Sequence, residues 1–198
     1  RQVPVVMKEK ITSLYDHFIG MDIMSYLHLS QGHYERKYFL RVANRPKRYI
    51  SRDSMREGKV SYESLRNFYC DKDWMMDRID QWEWDMKMLK NQAPYAAIQY
   101  IRKGIGYDEF LREYAAGKGI SEEDLLTVLE EIQQNSREYQ TIEEWFVHVE
   151  NYKEMLEKQK AKGGREAADG DGVMLMTMHG AKGLEYEVVF VIEGNEGS

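Results

Sequence analysis

The stretch LMTMHGAKGLEYEVVFV, Leu175 to Val191, gathers a hydroxyl, an imidazole, an amine, two glycines and a carboxylate within a few residues. They are Thr177, His179, Lys182, Gly180, Gly183 and Glu185, set between two apolar runs that read as strands. Glycines beside a lysine point to a phosphate loop. The match fails, because that loop needs G-x-x-x-x-G-K-[ST] and here Lys182 is followed by Gly183 and Leu184. No Asp-Glu pair closes a strand to take a metal-bound phosphate, so the chain has no complete nucleotide-hydrolysing site. No catalytic residue is assigned.

A second chemistry-bearing segment is basic. Between Arg36 and Lys59 stand Arg36, Lys37, Arg41, Arg45, Lys47, Arg48, Arg52, Arg56 and Lys59, opposed only by Asp53 and Glu57. From Tyr107 to Lys160 acids dominate, and the whole chain carries a formal charge of −6. A general nucleic-acid binder is thereby disfavoured, but a local basic patch on an acidic domain can still meet a phosphate backbone. A solvated helix face is the plainer reading of the same charges.

The 198 residues, 42% hydrophobic and 31% charged, fit one or two folded domains. No run approaches a membrane span, and RQVPVVMKEK lacks the apolar core of a signal peptide. The chain opens on Arg1 and reads as a piece of a longer protein. Cys70 is the single cysteine, which fits a reducing cytoplasm and leaves no zinc cluster. The five histidines show no HxxxH or HxH spacing, so no metal site is expected.

The pattern along the chain is mainly α. A short strand is expected around Val3, Val5 and Val6, then helices over about 12–29, 34–43, 61–69 and 74–90. Pro46 breaks the second helix and Ser51 can cap a short turn. Trp74, Trp82 and Trp84 with Met75, Met76, Met86 and Met88 read as core. Helices follow from Pro94 to Lys103 and from the turn GIGYDEF to Gly117. SEED at Ser121 and TIEE at Thr141 have capping-box form and start helices over about 122–138 and 142–160. AKGGREAADGDG, 161–172, reads as a mobile linker. Beyond it Val173–Met178 and the EVVFVI run, Glu187–Ile192, read as strands, the second one buried.

Val173 to Gly197 resembles motif V of the UvrD/Rep-like superfamily 1 DNA helicases. In that family a strand leads into T-x-H-x-x-K-G-L-E, an aromatic residue and a second apolar strand. Thr177, His179, Lys182, Gly183, Leu184 and Glu185 match in register. His17–Leu29 resembles the segment leaving the family's second RecA-like domain, 2A, with Phe18, Asp22 and Ile23 in place and Gly20 where many members carry arginine. Phe39–Met55 resembles the N-x-P-x-R-G-I-G segment that opens the inserted helical domain, 2B. Asn44, Pro46, Arg48 and Ile50 fit, while Tyr49 and Ser51 replace its glycines.

The resemblance implies a helical insertion flanked by short strands of an incomplete RecA-like α/β domain: 1–11 and 173–198 in 2A, 12–160 as 2B, and 161–172 between them. It implies part of an ATP-dependent 3′→5′ helicase that uses ATP and Mg2+, moves on single-stranded DNA and unwinds at a single-strand/duplex junction. It also implies a bacterial-type cytoplasmic location. Thr177, His179 and Lys182 would face single-stranded DNA, since a hydroxyl and an imidazole N–H can both donate to phosphate oxygens. Gly183 and Glu185 would meet the nucleotide, the carboxylate accepting from a ribose hydroxyl. Arg45, Lys47, Arg48 and Arg52 would form the duplex-facing patch. The piece alone, without a P-loop, should be inactive. Two other readings stay open: a helical module docking repair or replication proteins, and a nuclease-fused relative of the same helicases.

Overall fold

Side-chain caps and one proline mark the start of several helices. Ser61 and Ser64 form a reciprocal box, each hydroxyl accepting from the other's backbone N–H. Thr141 and Glu144 do the same, with Glu144 N–H to Thr141 Oγ1 at 3.2 Å and Thr141 N–H to Glu144 Oε2 at 3.1 Å. Ser121 accepts from the Asp124 N–H, and Pro94 occupies the first turn of its helix, where its missing N–H costs nothing. Ser51 caps a 3-10 turn over Arg52–Met55, as its position predicts.

The computed structural model describes residues 5–7, 13–56, 58–169, 173–175, 185–186 and 188–190. In chain order the elements are β1 (Val5–Met7), α1 (Phe18–Ser30), α2 (Arg36–Val42), α3 (Tyr62–Phe68), α4 (Asp73–Leu89), α5 (Pro94–Lys103), α6 (Tyr107–Lys118), α7 (Glu122–Asn135), α8 (Ile142–Asp169) and β2 (Val173–Leu175). A 3-10 turn, Leu14–Asp16, precedes α1. The chain divides into a helical unit, residues 12–153, and a second unit made of residues 1–11 and 154–198.

In the helical unit α1 is the hub, packed against α2, α4, α5 and α7. Ile19, Ile23, Tyr26 and Leu27 of α1 are fully buried beside Phe39, Trp82, Leu129 and Trp145. The α4 stripe is Met75, Ile79, Trp82, Met86 and Leu89, a spacing of three and four residues that keeps one face inward. That phase corrects the sequence expectation of a core made from all the Trp and Met residues. Trp74, Trp84 and Met88 lie off the stripe and are exposed.

In the second unit β1 and β2 pair in parallel, Val5 with Val173, Val6 with Met174 and Met7 with Leu175. Parallel partners need a long crossover between them, and here the intervening chain holds the whole helical unit. Two expectations are corrected in this unit. Residues 161–169, read as linker, are helical within α8, because Ala161, Lys162, Glu166, Ala167 and Ala168 are strong helix formers that outweigh two glycines at about 1 kcal/mol each. Val188–Phe190, read as a buried strand, is non-strand and exposed. A strand exists only where a neighbour takes its backbone hydrogen bonds, and among the described residues none pairs with it.

Gly20 is required by a close backbone approach. A Cβ there would lie 2.6 Å from the Leu14 carbonyl oxygen and 2.8 Å from Tyr15 Cα, both main chain. Gly20→Ala is expected to lower unfolding free energy by about 1–3 kcal/mol in urea titration; an unchanged midpoint would show that the 3-10 turn yields freely.

His28 is stacked between Tyr38 (4.4 Å between centroids) and Phe146 (4.2 Å), with its Nδ1 3.0 Å from His33 Nδ1. Burial, reinforced by His33 and Lys37, lowers its pKa to about 4. Between about pH 6.5 and 4 the unfolded chain therefore binds the extra proton, and stability falls as pH drops through that window. Thermal unfolding should show this slope from pH 7 to 4.5, flattened in His28→Phe; equal slopes in both proteins would remove His28 as the cause.

Candidate nucleic-acid interface

The basic segment folds as a pinned loop between α2 and the Arg52–Met55 turn. Asn44 bonds across it: its Oδ1 accepts from the backbone N–H of Arg48 (3.2 Å) and Ile50 (3.0 Å), and its Nδ2 donates to the Ile50 carbonyl (2.8 Å). The Arg45–Pro46 peptide is cis and Tyr49 has φ 61°. At the loop's exit the Ser51 N–H donates to the Tyr69 hydroxyl (2.7 Å) and Ile50 is buried.

Arg48 serves the inside of this loop. It is 8% exposed. Its guanidinium donates to the carbonyls of Val42 (3.0 Å) and Pro46 (3.3 Å) and to the Tyr26 hydroxyl (3.2 Å), and lies 5.1 Å from the Trp82 ring centroid. Arg45 is half-buried and reaches Asp22, whose carboxylate is wholly buried. One Arg45 nitrogen donates to both Asp22 oxygens at 2.7 Å, Arg41 adds a bond at 3.1 Å, and the buried Tyr107 hydroxyl donates at 2.7 Å. Burial disfavours the charge on Arg45, but its hydrogen bond and charge contact with Asp22 prevail and hold its pKa above the ordinary value. Burial, and then the negative charge of Asp22, push the Tyr107 pKa well up.

The four residues expected to form the duplex-facing patch therefore divide. Arg45 and Arg48 hold the loop, while Lys47 and Arg52 are exposed. Two neighbours at this surface were not singled out for binding by the sequence. Trp74 of α4 stands 6.4 Å from Tyr49, edge to face, and the Arg78 guanidinium lies 4.8 Å from the Tyr49 ring and 5.1 Å from that of Trp74. The available signal was the i, i+4 spacing of Trp74 and Arg78 off the Met75–Ile79–Trp82 stripe.

Of the residues expected at the nucleotide and single-strand sites, Glu185 is described and is exposed. Thr177, His179, Lys182 and Gly183 lie outside the described residues. Among the described residues no group of three or more His, Cys, Asp or Glu side chains could hold a metal ion, and Mg2+ is placed on none of them. Among the same residues no helix is long and apolar enough to cross a membrane.

The UvrD-like helicase C-terminal domain family matches the chain over residues 1–198. The chain belongs to that family. Relatives agree at low identity. The "Putative ATP-dependent DNA helicase YjcD" of Bacillus subtilis (strain 168) is 24% identical over 204 residues, 99% of this chain and 25% of the relative. The ATP-dependent DNA helicase PcrA of the same organism is 25% identical over 94% of this chain and 27% of its own length. The ATP-dependent DNA helicase Rep of Escherichia coli (strain K12) is 23% identical over 94% of this chain and 30% of its own length. The chain thus spans a quarter to under a third of these helicases. As a UvrD-like domain it has a structural use for three of the positions that carried the sequence resemblance. Asn44 bonds across the loop from its exposed side, while Arg48 and Ile50 anchor it from the buried side.

Asp22 is the point at which the network is tested. Asp22→Asn is expected to cost about 3 kcal/mol in urea unfolding, because a buried pair loses one charged partner. A cost under about 1 kcal/mol would show that the arginines reach water without penalty.

Proposed function

We propose that this chain is the helical 2B-type domain, with flanking pieces of the RecA-like 2A domain, of an ATP-dependent DNA helicase that moves 3′→5′ along single-stranded DNA. The family match along the whole chain carries this reading. The parallel pairing of β1 with β2 supports it, since a helical unit inserted into an α/β sheet leaves parallel strands on either side.

In this reading Thr177, His179 and Lys182 grip the single strand. Gly183 lets the backbone approach the nucleotide and Glu185 accepts from the ribose hydroxyl. The two sets of contacts are a few residues apart in the sequence, so a change of nucleotide state is felt at the DNA grip, the coupling a motor needs. ATP would supply the phosphate bond that is hydrolysed and Mg2+ would screen its charge; no described residue of this chain is assigned to the metal. Lys47 and Arg52 meet the duplex backbone, with Arg45 and Arg48 fixing the loop that presents them. The chain has no P-loop sequence and is expected to hydrolyse no ATP by itself. Repair or replication proteins are the expected partners of the helical domain.

The test is ATP hydrolysis by the full-length protein with and without single-stranded DNA. Glu185→Ala should raise the KM for ATP about 10- to 100-fold, the loss of one hydrogen bond to a charged group. The Thr177→Ala/His179→Ala pair should blunt stimulation by DNA while leaving the unstimulated rate. Hydrolysis indifferent to DNA, or variants indistinguishable from wild type, would refute the reading.

A further inference from the structure

We propose that Tyr49, Trp74, Lys47 and Arg78 form a stacking platform for an unpaired base of DNA beside a duplex end. The proposal rests on the DNA reading above for the identity of the polymer, and on the geometry for the mode of contact.

Tyr49 and Trp74 are 54% and 51% exposed although both are large aromatics. They come from the loop and from α4, and their rings meet edge to face at 6.4 Å and 78°. Two cations attend them. Lys47 Nζ lies 4.5 Å from the Tyr49 centroid, and Arg78 lies within 5.1 Å of both rings. Asp73 and Asp77 are exposed on α4: Asp73 lies about 100° round the helix from Trp74, and Asp77, three residues after Trp74, lies about 60° from it and borders the platform.

The backbone at Tyr49 adds a second observation. Its φ of 61° is left-handed, a conformation that residues with a side chain rarely adopt and that glycine adopts freely. Asn44 Oδ1 accepts from the N–H groups on either side of Tyr49, which sets this backbone conformation and leaves the Tyr49 ring half exposed. A half-exposed aromatic held in a strained position points to a use at the surface.

The combination selects the occupant. Duplex backbone contact needs cations and hydrogen-bond donors but gains little from two half-exposed rings. A single strand offers both a phosphate for each cation and a π-face for each ring, and stacking contributes about 1–3 kcal/mol per base. The Lys47 ammonium leaves the Tyr49 face for the backbone phosphate at the duplex end, the contact proposed for it above, as a base takes its place, while Arg78 stacks or pairs in turn. Trp84, 50% exposed on the same helix, has the Tyr100 ring beside it and, among the described residues, no cation over its ring (Lys87, one turn on, pairs with Glu83), and it provides the control.

The experiment uses the full-length protein and a duplex bearing a single-stranded tail, with 5-iodouracil at the unpaired position next to the duplex. Irradiation should give crosslinks at Tyr49 or Trp74. Tyr49→Ala/Trp74→Ala should weaken binding of the tailed duplex about 5- to 100-fold and leave binding of the blunt duplex within about twofold, from the stacking range above. Trp84→Ala should change neither. Crosslinks elsewhere, equal weakening of blunt and tailed duplexes, or a double variant that binds both as wild type does would overturn the platform while hydrolysis still responds to DNA. If wild type binds no DNA at all, the helicase reading falls with it.

Discussion

A buried carboxylate organises the helical unit. Asp22 has no exposure to water, and an isolated charge there would cost several kcal/mol. Three donors offset that cost, and they come from three places: Arg41 at the end of α2, Arg45 in the loop beyond it, and Tyr107 at the start of α6. Each must arrive for the carboxylate to be tolerated. The position of the loop relative to α1 and α6 is therefore tied to one atom pair in the core.

The fold sorts the basic segment by what each cation meets. Arg41, Arg45 and Arg48 turn inward, to Asp22, to main-chain carbonyls and to the faces of Tyr26 and Trp82. Lys37 and Arg56 are exposed but paired with Glu35 and Asp53. Lys47 remains at the surface on a loop whose backbone is already fixed, and Arg52 at the surface in the turn that follows it. A pre-shaped loop loses little entropy when it meets a ligand, so even a few cations on it count. An acidic chain can in this way carry a confined basic face.

Below the loop, α4 divides its aromatic residues by phase. Trp82 goes to the core with Met75 and Ile79, and Trp74 goes to the surface with Arg78. Nearby, Asp85 is buried on the side of α4 facing Tyr100, which donates to it at 3.0 Å. Burial raises the Asp85 pKa, and burial followed by the hydrogen bond to Asp85 pushes Tyr100 up to about 12. Polar pairs of this kind fix the relative rotation of helices whose apolar faces alone would allow sliding.

The sequence by itself determined the order of the helices, most of their starts, and the family, through T-x-H-x-x-K-G-L-E at Thr177–Glu185 and N-x-P-x-R at Asn44–Arg48. Caps and periodicity are local, so they survive in one dimension: Ser61, Ser121, Thr141 and Pro94 act where they stand. What each matching residue does was decided only by tertiary structure. Arg45 and Arg48 look like phosphate ligands in a list of basic residues, yet a carboxylate 23 residues away claims the first, and carbonyls and a tyrosine claim the second. Tyr49 and Trp74 are 25 positions apart in the chain and meet because Asn44 closes the loop and the Trp82 stripe sets the phase of α4. Side-chain charge and hydrophobicity are written in the sequence. Which of them water can reach depends on contacts between distant segments, and those exist only in the fold.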